Sequence, residues 1–380
     1  MFTTKELMRY SRQILLPGLG LEGQQKLKQG SVLVIGAGGL GSPALYYLAA
    51  AGVGRIGIVE FDAVDESNLQ RQILFGTNDV GKPKVLKARD RLNDLNPNVK
   101  TEIHHCVLNS QNAMDIISAY DVVIDGSDNL PTRYLVNDAC VLLNKPLIYG
   151  AVFQFEGQAS VFNQLLEDGT RGPNYRDLFP EPPPPEMVPS CNVGGVLGVL
   201  PGIIGSIQAN ECIKVIAGIG RTLSGRLLIF DSLEFTTRFL NLKCNPDNPI
   251  SGTRPTIRTL IDYEEFCNPA SAKEKLNEIS PAQVKKLLDK GAIIQLIDVR
   301  EPFEYALSNI GGLNLPVHSI EKNVGMIEKE IQVVVYCKSG QRSAQAIRQL
   351  QKNHGLKNLS NMKGGLIGWR DEVDSELNLY

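Results

Sequence analysis

Short apolar runs alternate with amphipathic stretches through most of the chain. Residues 31–35 form an apolar run that ends on glycines, 44–51 read as helix, and 55–60 form a second run. The rhythm continues with helix at 84–95, strand at 101–107, helix at 113–119, strand at 122–125, helix at 129–144 and strand at 146–150. Strand, helix and strand in this order predict a parallel sheet with crossover helices. Runs at 158–162 and 225–230 predict a more antiparallel extension, and 1–30 read as helix and loop. The rhythm restarts at Ser280, a helix cap followed by Pro281, with helix to 289, strands at 293–297 and 331–336, and helix at 343–352.

Three segments break the rhythm. Residues 179–189 hold six prolines, four of them consecutive, which suits an exposed loop. Residues 246–277 are polar and proline-punctuated and read as a linker that would let a second domain move. Residues 187–210 carry no charge and are long enough to span a bilayer, but five glycines, Pro201, Asn192, Ser206 and Gln208 favour a buried glycine-rich helix. The expected organisation is a Rossmann-like mixed α/β domain over 1–245, a linker over 246–277 and a smaller α/β domain over 278–380.

Composition agrees with more than one core. The chain has 380 residues, 43% hydrophobic and 21% charged. Lys plus Arg total 39 and Asp plus Glu 41, a balance that argues against a direct nucleic-acid binder or a membrane-surface protein. Seven cysteines are not a disulfide framework, and the charged N-terminus has no apolar core, so a reducing cytoplasmic setting is expected. The four histidines lack metal spacing, and adjacent His104 and His105 would point to opposite faces of a strand.

The glycine-rich segment Gly36, Gly38, Gly39, Gly41 follows a strand and opens a helix, a placement that admits phosphate to backbone N–H groups. Glu60 or Asp62 stands where a ribose-binding acid belongs. That much suits any nucleotide, NAD and FAD included. Asn68 and Arg71, Lys82 and Lys84, and then Asp125, Asp128 and Asn129 add amides, cations and carboxylates. A hydride enzyme has no use for that set, whereas phosphoryl or nucleotidyl transfer with Mg²⁺ needs it.

In order, Arg9-Tyr10-Ser11-Arg12-Gln13, the glycine segment with Ser42, Glu60-Phe61-Asp62, Asn68 to Gln72, Gly81 to Lys84 and Asp125 to Asn129 resemble the MoeB/ThiF family, prokaryotic relatives of ubiquitin-activating enzymes. The resemblance covers about 5–245. It implies ATP-dependent adenylation of the C-terminal glycine of a small ubiquitin-like sulfur carrier ending in Gly-Gly. It also implies that Gly36, Gly38, Gly39 and Gly41 line the nucleotide site and that Asp62 binds ribose. Asn68, Arg71 and Lys84 would contact phosphates, Asp128 would hold Mg²⁺, Asn129 would belong to the cofactor site, and Arg12 would reach the partner's site in a homodimer. Cys191, beside the proline-rich loop, matches a cysteine that links to the carrier or relays sulfur. The family's two Cys-x-x-Cys zinc pairs are replaced by Asn174/Asp177 and Asn248/Ser251, so no structural zinc is expected; either hydrogen bonds and packing hold these segments instead or they are looser.

Near the C-terminus, Val333 to Tyr336 lead into Cys337, and Ser343 begins a helix. A cysteine between a strand end and a helix N-terminus gains thiolate character, and Lys338 and Arg342 add positive charge. With Asp298-Val299-Arg300-Glu301 and Gly364 to Trp369, this six-residue loop resembles a rhodanese domain, which implies a persulfide on Cys337. Leu307-Ser308-Asn309-Ile310 departs from the usual Gly-His-Ile, which leaves the sulfur donor open; a cysteine desulfurase is one such donor. The combined expectation is an adenylyltransferase fused to a sulfurtransferase, with molybdopterin synthesis the best-matching pathway and thiamine, cysteine and tRNA thiolation the other routes. The rivals are a rhodanese domain that only docks and a non-catalytic nucleotide-binding protein.

Overall fold

A computed structural model of the chain describes residues 2–183, 195–267 and 276–379. The chain divides into two compact units, Met1–Pro269 and Ala270–Tyr380.

The first unit opens with α1 (Thr4–Ile14), where Thr3 and Glu6 close a reciprocal capping box, and α2 (Gly20–Gln29). It then alternates β1 (Ser31–Ile35), α3 (Gly41–Ala51), β2 (Arg55–Val59), α4 (Lys84–Leu95), β3 (Lys100–His104), α5 (Ala113–Ser118), β4 (Val122–Asp125), α6 (Leu130–Leu142), β5 (Leu147–Phe153) and β6 (Glu156–Phe162). A short α7 (Tyr175–Leu178), α8 (Val199–Ala217), β7 (Arg226–Asp231), β8 (Thr236–Asn241) and α9 (Tyr263–Cys267) follow. Eight strands form one sheet in the order β3-β2-β1-β4-β5-β6-β7-β8, parallel from β3 to β5 and antiparallel beyond.

β1 is central and wholly buried, and its side chains feed two cores by the period-two alternation of a strand. Val32 and Val34 pack with Leu45 and Leu48 of α3 and Ile204 of α8; Leu33 and Ile35 pack on the other face with Ile117 of α5 and Val136 and Ala139 of α6. From Val199 onward the uncharged segment forms a helix, and its small residues have a geometric purpose. A Cβ on Gly205 would stand 2.3 Å from the Leu40 carbonyl, so α8 lies against the glycine turn. Its Gln208 is fully buried and donates to the carbonyls of Asp125 at 2.7 Å and Ile148 at 3.2 Å, at the end of β4 and within β5. No helix among the described residues is long and apolar enough to cross a membrane.

Much of the segment expected as a linker belongs to this unit. Tyr263 and Cys267 of α9 are buried in the second core, and the Tyr263 hydroxyl donates to Asp138 at 2.8 Å. Arg176 makes a bidentate pair with the same carboxylate, 2.8 Å on both arms, between the rings of Tyr134 and Phe266. The four positions that lack thiols also converge. Asn174 donates to Ser251 at 2.7 Å, and Asn248 donates to Asp177 at 2.7 Å and to Asn174 at 3.3 Å. Prolines and polar residues suggested free chain, but Asn174, Arg176, Asn248 and Tyr263 are buried, each with a hydrogen-bond partner.

The second unit comprises β9 (Glu278–Ile279), α10 (Pro281–Asp289), β10 (Ile294–Asp298), α11 (Pro302–Leu307), β11 (Leu313–Asn314), a 3₁₀ segment (Val317–Met326), β12 (Gln332–Tyr336), α12 (Gln341–His354), β13 (Leu359–Met362) and α13 (Gly365–Glu372). Its five strands are parallel, in the order β11-β10-β12-β13-β9. Ser280 caps α10 reciprocally with Gln283. Val333 and Val335 face Ile347 and Leu350 of α12, while Val334 and Tyr336 face Leu366 and Trp369 of α13.

Candidate active site

In the first unit the strand order reverses between β1 and β4, the switch point at which open α/β sheets leave a crevice. A cavity of about 720 Å³ lies there. The turn after β1 fits only glycine at two places. Gly36 takes φ +88°, and a Cβ on Gly41 would meet the Gly36 carbonyl at 1.9 Å. Gly36, Gly38 and Gly39 line the cavity with Asp62, Arg71, Lys84, Asp128 and Asn129. Gly41 is absent from the wall because it packs under the turn. Asn68 is off the wall too; it ends a 3₁₀ turn, and its carbonyl accepts from Arg71 and Gln72.

The choice between Glu60 and Asp62 is made by hydrogen bonding. Glu60 is buried and accepts from the backbone N–H groups of Ala37, Phe61 and Asp62 at 3.1, 2.9 and 2.9 Å, so it braces the glycine turn. Asp62 is exposed, and Lys84 lies 3.3 Å from its carboxylate. Lys84 is buried at the start of α4, its backbone N–H held by the Asp62 carbonyl. Arg71 is tethered by donation to the Ser67 carbonyl at 3.1 Å. Asp128 is exposed at the cavity wall, and Asn129 caps α6 by accepting from Thr132 at 2.9 Å.

Other wall residues were not singled out by the sequence reading. Arg133 stacks over Tyr149 at 5.2 Å, donates to the Ser127 carbonyl, and stands 3.5 Å from Asp125. Burial pushes the Asp125 carboxyl up, against the pull of Arg133 and Ser127. Tyr175 and Phe179 continue the wall, and Cys267 lines it too, its thiol pushed up to about 12 by burial and the nearby Glu264. A helical spacing of Arg133 from Asn129 was the available signal, but a single arginine in a helix reads as surface charge.

Arg12 is exposed in the last turn of α1, away from this wall. Cys191 lies outside the described residues.

Cys337 belongs to the second unit. It is fully buried at the end of β12. Gly340, at φ +90°, turns its N–H to the sulfur at 3.1 Å, and the Ser343 hydroxyl lies 3.5 Å away. A Cβ on Gly365 would meet the Cys337 carbonyl at 2.3 Å, so α13 closes directly on the loop. Arg342 differs from expectation. Its two amino groups donate to both oxygens of buried Glu304 at 2.5 and 2.7 Å, so its charge is balanced by α11 and it fixes the loop's position. Beneath, Asp298 and Arg300 form a fully buried pair at 2.6 Å.

A nucleotide-sized cavity walled by cations and carboxylates, and a separate sulfur held in a loop of amides, define an enzyme that joins an adenylyltransferase to a sulfurtransferase. The ThiF family model matches residues 10–251 and the rhodanese-like domain model matches 280–372; the chain belongs to the ThiF family and carries a C-terminal rhodanese-like domain. It is 46% identical over 383 residues to the probable adenylyltransferase/sulfurtransferase MoeZ of Mycobacterium tuberculosis, covering 99% of this chain and 96% of that one. It is 56% identical over 266 residues to the sulfur carrier protein adenylyltransferase of Thermus thermophilus, covering 70% of this chain and 98% of that one. The adenylyltransferase and sulfurtransferase MOCS3 of Culex quinquefasciatus is 43% identical over 397 residues, with 99% and 90% covered. Among solved structures, E. coli MccB with MccA-N7isoASN matches at TM-score 0.56 and 21% identity over 66% of this chain and 76% of that one, a likeness of fold alone.

Proposed function

We propose that the enzyme adenylates the C-terminal glycine of a small ubiquitin-like sulfur carrier with ATP and Mg²⁺, and then uses a persulfide on Cys337 to convert it to a thiocarboxylate for molybdopterin synthesis. The observation that carries the reading is the union in one chain of the Lys84–Arg71–Asp128 cavity and the buried Cys337 loop. The name of the Thermus thermophilus relative supports a sulfur carrier as substrate.

The first step forms a bond from the carboxylate oxygen to the α-phosphorus and expels pyrophosphate with the bonding pair. Its obstacle is repulsion between a carboxylate and a polyanion, which Lys84, Arg71 and a partner's Arg12 would offset, with Asn68 positioning phosphate and Asp62 the ribose. The exposed Asp128 carboxylate beside the glycine turn fits a Mg²⁺ ligand, and the ion would supply charge neutralisation at the phosphates. In the second step the terminal sulfur of the Cys337 persulfide bonds to the acyl carbon, and AMP leaves with the bonding pair. A thiolate, from Cys191 or an external thiol, then attacks the Cys337 sulfur, the S–S bond breaks, and the thiocarboxylate leaves. External thiol restores Cys337.

In this reading the enzyme works in the cytoplasm as a homodimer, and a cysteine desulfurase supplies the persulfide. The test is a panel of carriers ending in Gly-Gly, incubated with the enzyme, ATP, Mg²⁺ and a persulfide donor and weighed by mass spectrometry. Thiocarboxylate on the molybdopterin-type carrier is expected. Thiocarboxylate only on a thiamine, cysteine or tRNA-thiolation carrier overturns the pathway, and adenylate without sulfur from any carrier overturns the role of Cys337.

A further inference from the structure

Ser343 stands in the first turn of α12, fully buried, with three acceptors around its single hydroxyl proton. The Asn361 side-chain oxygen is 2.7 Å away, the Gly340 carbonyl 3.1 Å and the Cys337 sulfur 3.5 Å. A hydroxyl donates one hydrogen bond at a time. Asn361 sits on β13 and is itself nearly buried, so water does not take its place. The shortest distance shows where the proton rests when the sulfur is in its present state. The longer one shows where it can turn without any heavy atom moving far.

We infer that Ser343 is a positioning residue for sulfur transfer, whose hydroxyl turns from Asn361 to the Cys337 sulfur whenever that sulfur carries negative charge. The inference rests on the proposed role of Cys337 as sulfur carrier. Gly340 already gives the sulfur one N–H donor, and the Ser343 hydroxyl can supply a second. Negative charge appears on this atom twice in a turnover. When Cys337 thiolate takes the sulfane sulfur of thiosulfate, a new S–S bond forms and sulfite departs with the old bonding pair. When cyanide takes that sulfur as thiocyanate, the S–S bond breaks and its electron pair returns to Cys337. Donors to a charged atom are stronger than those to a neutral one, so the hydroxyl favours the thiolate in both steps. Asn361 is then a competitor that holds the proton away while the sulfur is uncharged, which makes the two residues opposite in sign.

The experiment measures persulfide loading from thiosulfate and its discharge by cyanide separately, on the full chain, by rapid quench and mass spectrometry across pH. Ser343→Ala is expected to slow both half-reactions about tenfold, to move the loading profile to higher pH, and to leave thiosulfate KM and melting temperature nearly unchanged. Asn361→Ala is expected to be as fast as the parent or faster. Wild-type rates and an unshifted profile in Ser343→Ala overturn the inference. So does equal slowing in both variants, which is what a merely structural pair would give. Cys337→Ala separates the underlying reading: if that variant still loads and discharges sulfur, Cys337 is not the carrier and the reading itself has failed, whereas an inert Cys337→Ala beside an unaffected Ser343→Ala condemns the Ser343 role alone.

Discussion

The two units handle anions in opposite ways. The cavity of the first is about 720 Å³, and Asp62 and Asp128 stand exposed on its wall with Arg71 and Lys84 beside them. The loop of the second closes on one fully buried sulfur, held by a backbone N–H and a hydroxyl, while the neighbouring guanidinium is neutralised by Glu304. A polyanion arriving from water brings several charges, and only charged side chains offset them. A single sulfur that gains and loses one charge in place is served better by fixed dipoles, which need no reorganisation as the charge comes and goes. One chain thus contains a site built from charged side chains and a site built from neutral dipoles.

The sharpest break between the two sites is Cys337→Ala. Sulfur transfer is expected to vanish while carrier-dependent ATP–pyrophosphate exchange continues, and a loss of exchange in this variant would show that the sites are not independent. Lys84→Ala is expected to lower that exchange at least about a hundredfold and to leave thiosulfate–cyanide sulfurtransferase activity unchanged. Below these in size stand stability effects. Asp298→Ala leaves Arg300 buried without its carboxylate and is expected to cost the second unit about 3–5 kcal/mol, read as a lower melting temperature of that unit with ATP binding kept. Asn248→Leu leaves Asp177 and Asn174 short of donors and is expected to destabilise the first unit by about 1–3 kcal/mol. The smallest effect concerns metal: a zinc chelator is expected to leave the melting of both units where it is, and a downward shift for the first unit would mean that zinc stabilises it after all.

Legibility differed between the two regions for a physical reason. Around the cavity, sequence marks the glycines and several of the charged wall residues because glycine turns and strand-end carboxylates recur at fixed offsets along the chain. Gly36, Asp62 and Asp128 were found this way. Arg133 and Tyr149 escaped because nothing local sets apart an arginine or tyrosine that lines a wall from one that merely packs. In the second unit Cys337 was evident from its loop, but the Arg342 pairing with Glu304 joins residues 38 positions apart and has no local signature. Strand β8 was missed because all six of its residues are exposed at the sheet edge, which erases the alternation that betrays a half-buried strand. Residues 246–267 misled for the converse reason. Their prolines and amides look like solvent-exposed chain, yet Asn248 and Tyr263 are buried against partners some 70 to 125 positions away.

By itself the sequence determined the central strands and helices, the two-block order and the two glycine- and cysteine-centred loops, since these depend on short-range periodicity and on turns that only certain residues can make. Tertiary structure alone decided which charges are available and which are already answered. Glu60 braces a turn, Asp62 faces the cavity, Arg342 is bound, and the Ser343 hydroxyl has three acceptors within reach, because hydrogen bonding and burial depend on neighbours that the chain brings together only when it folds.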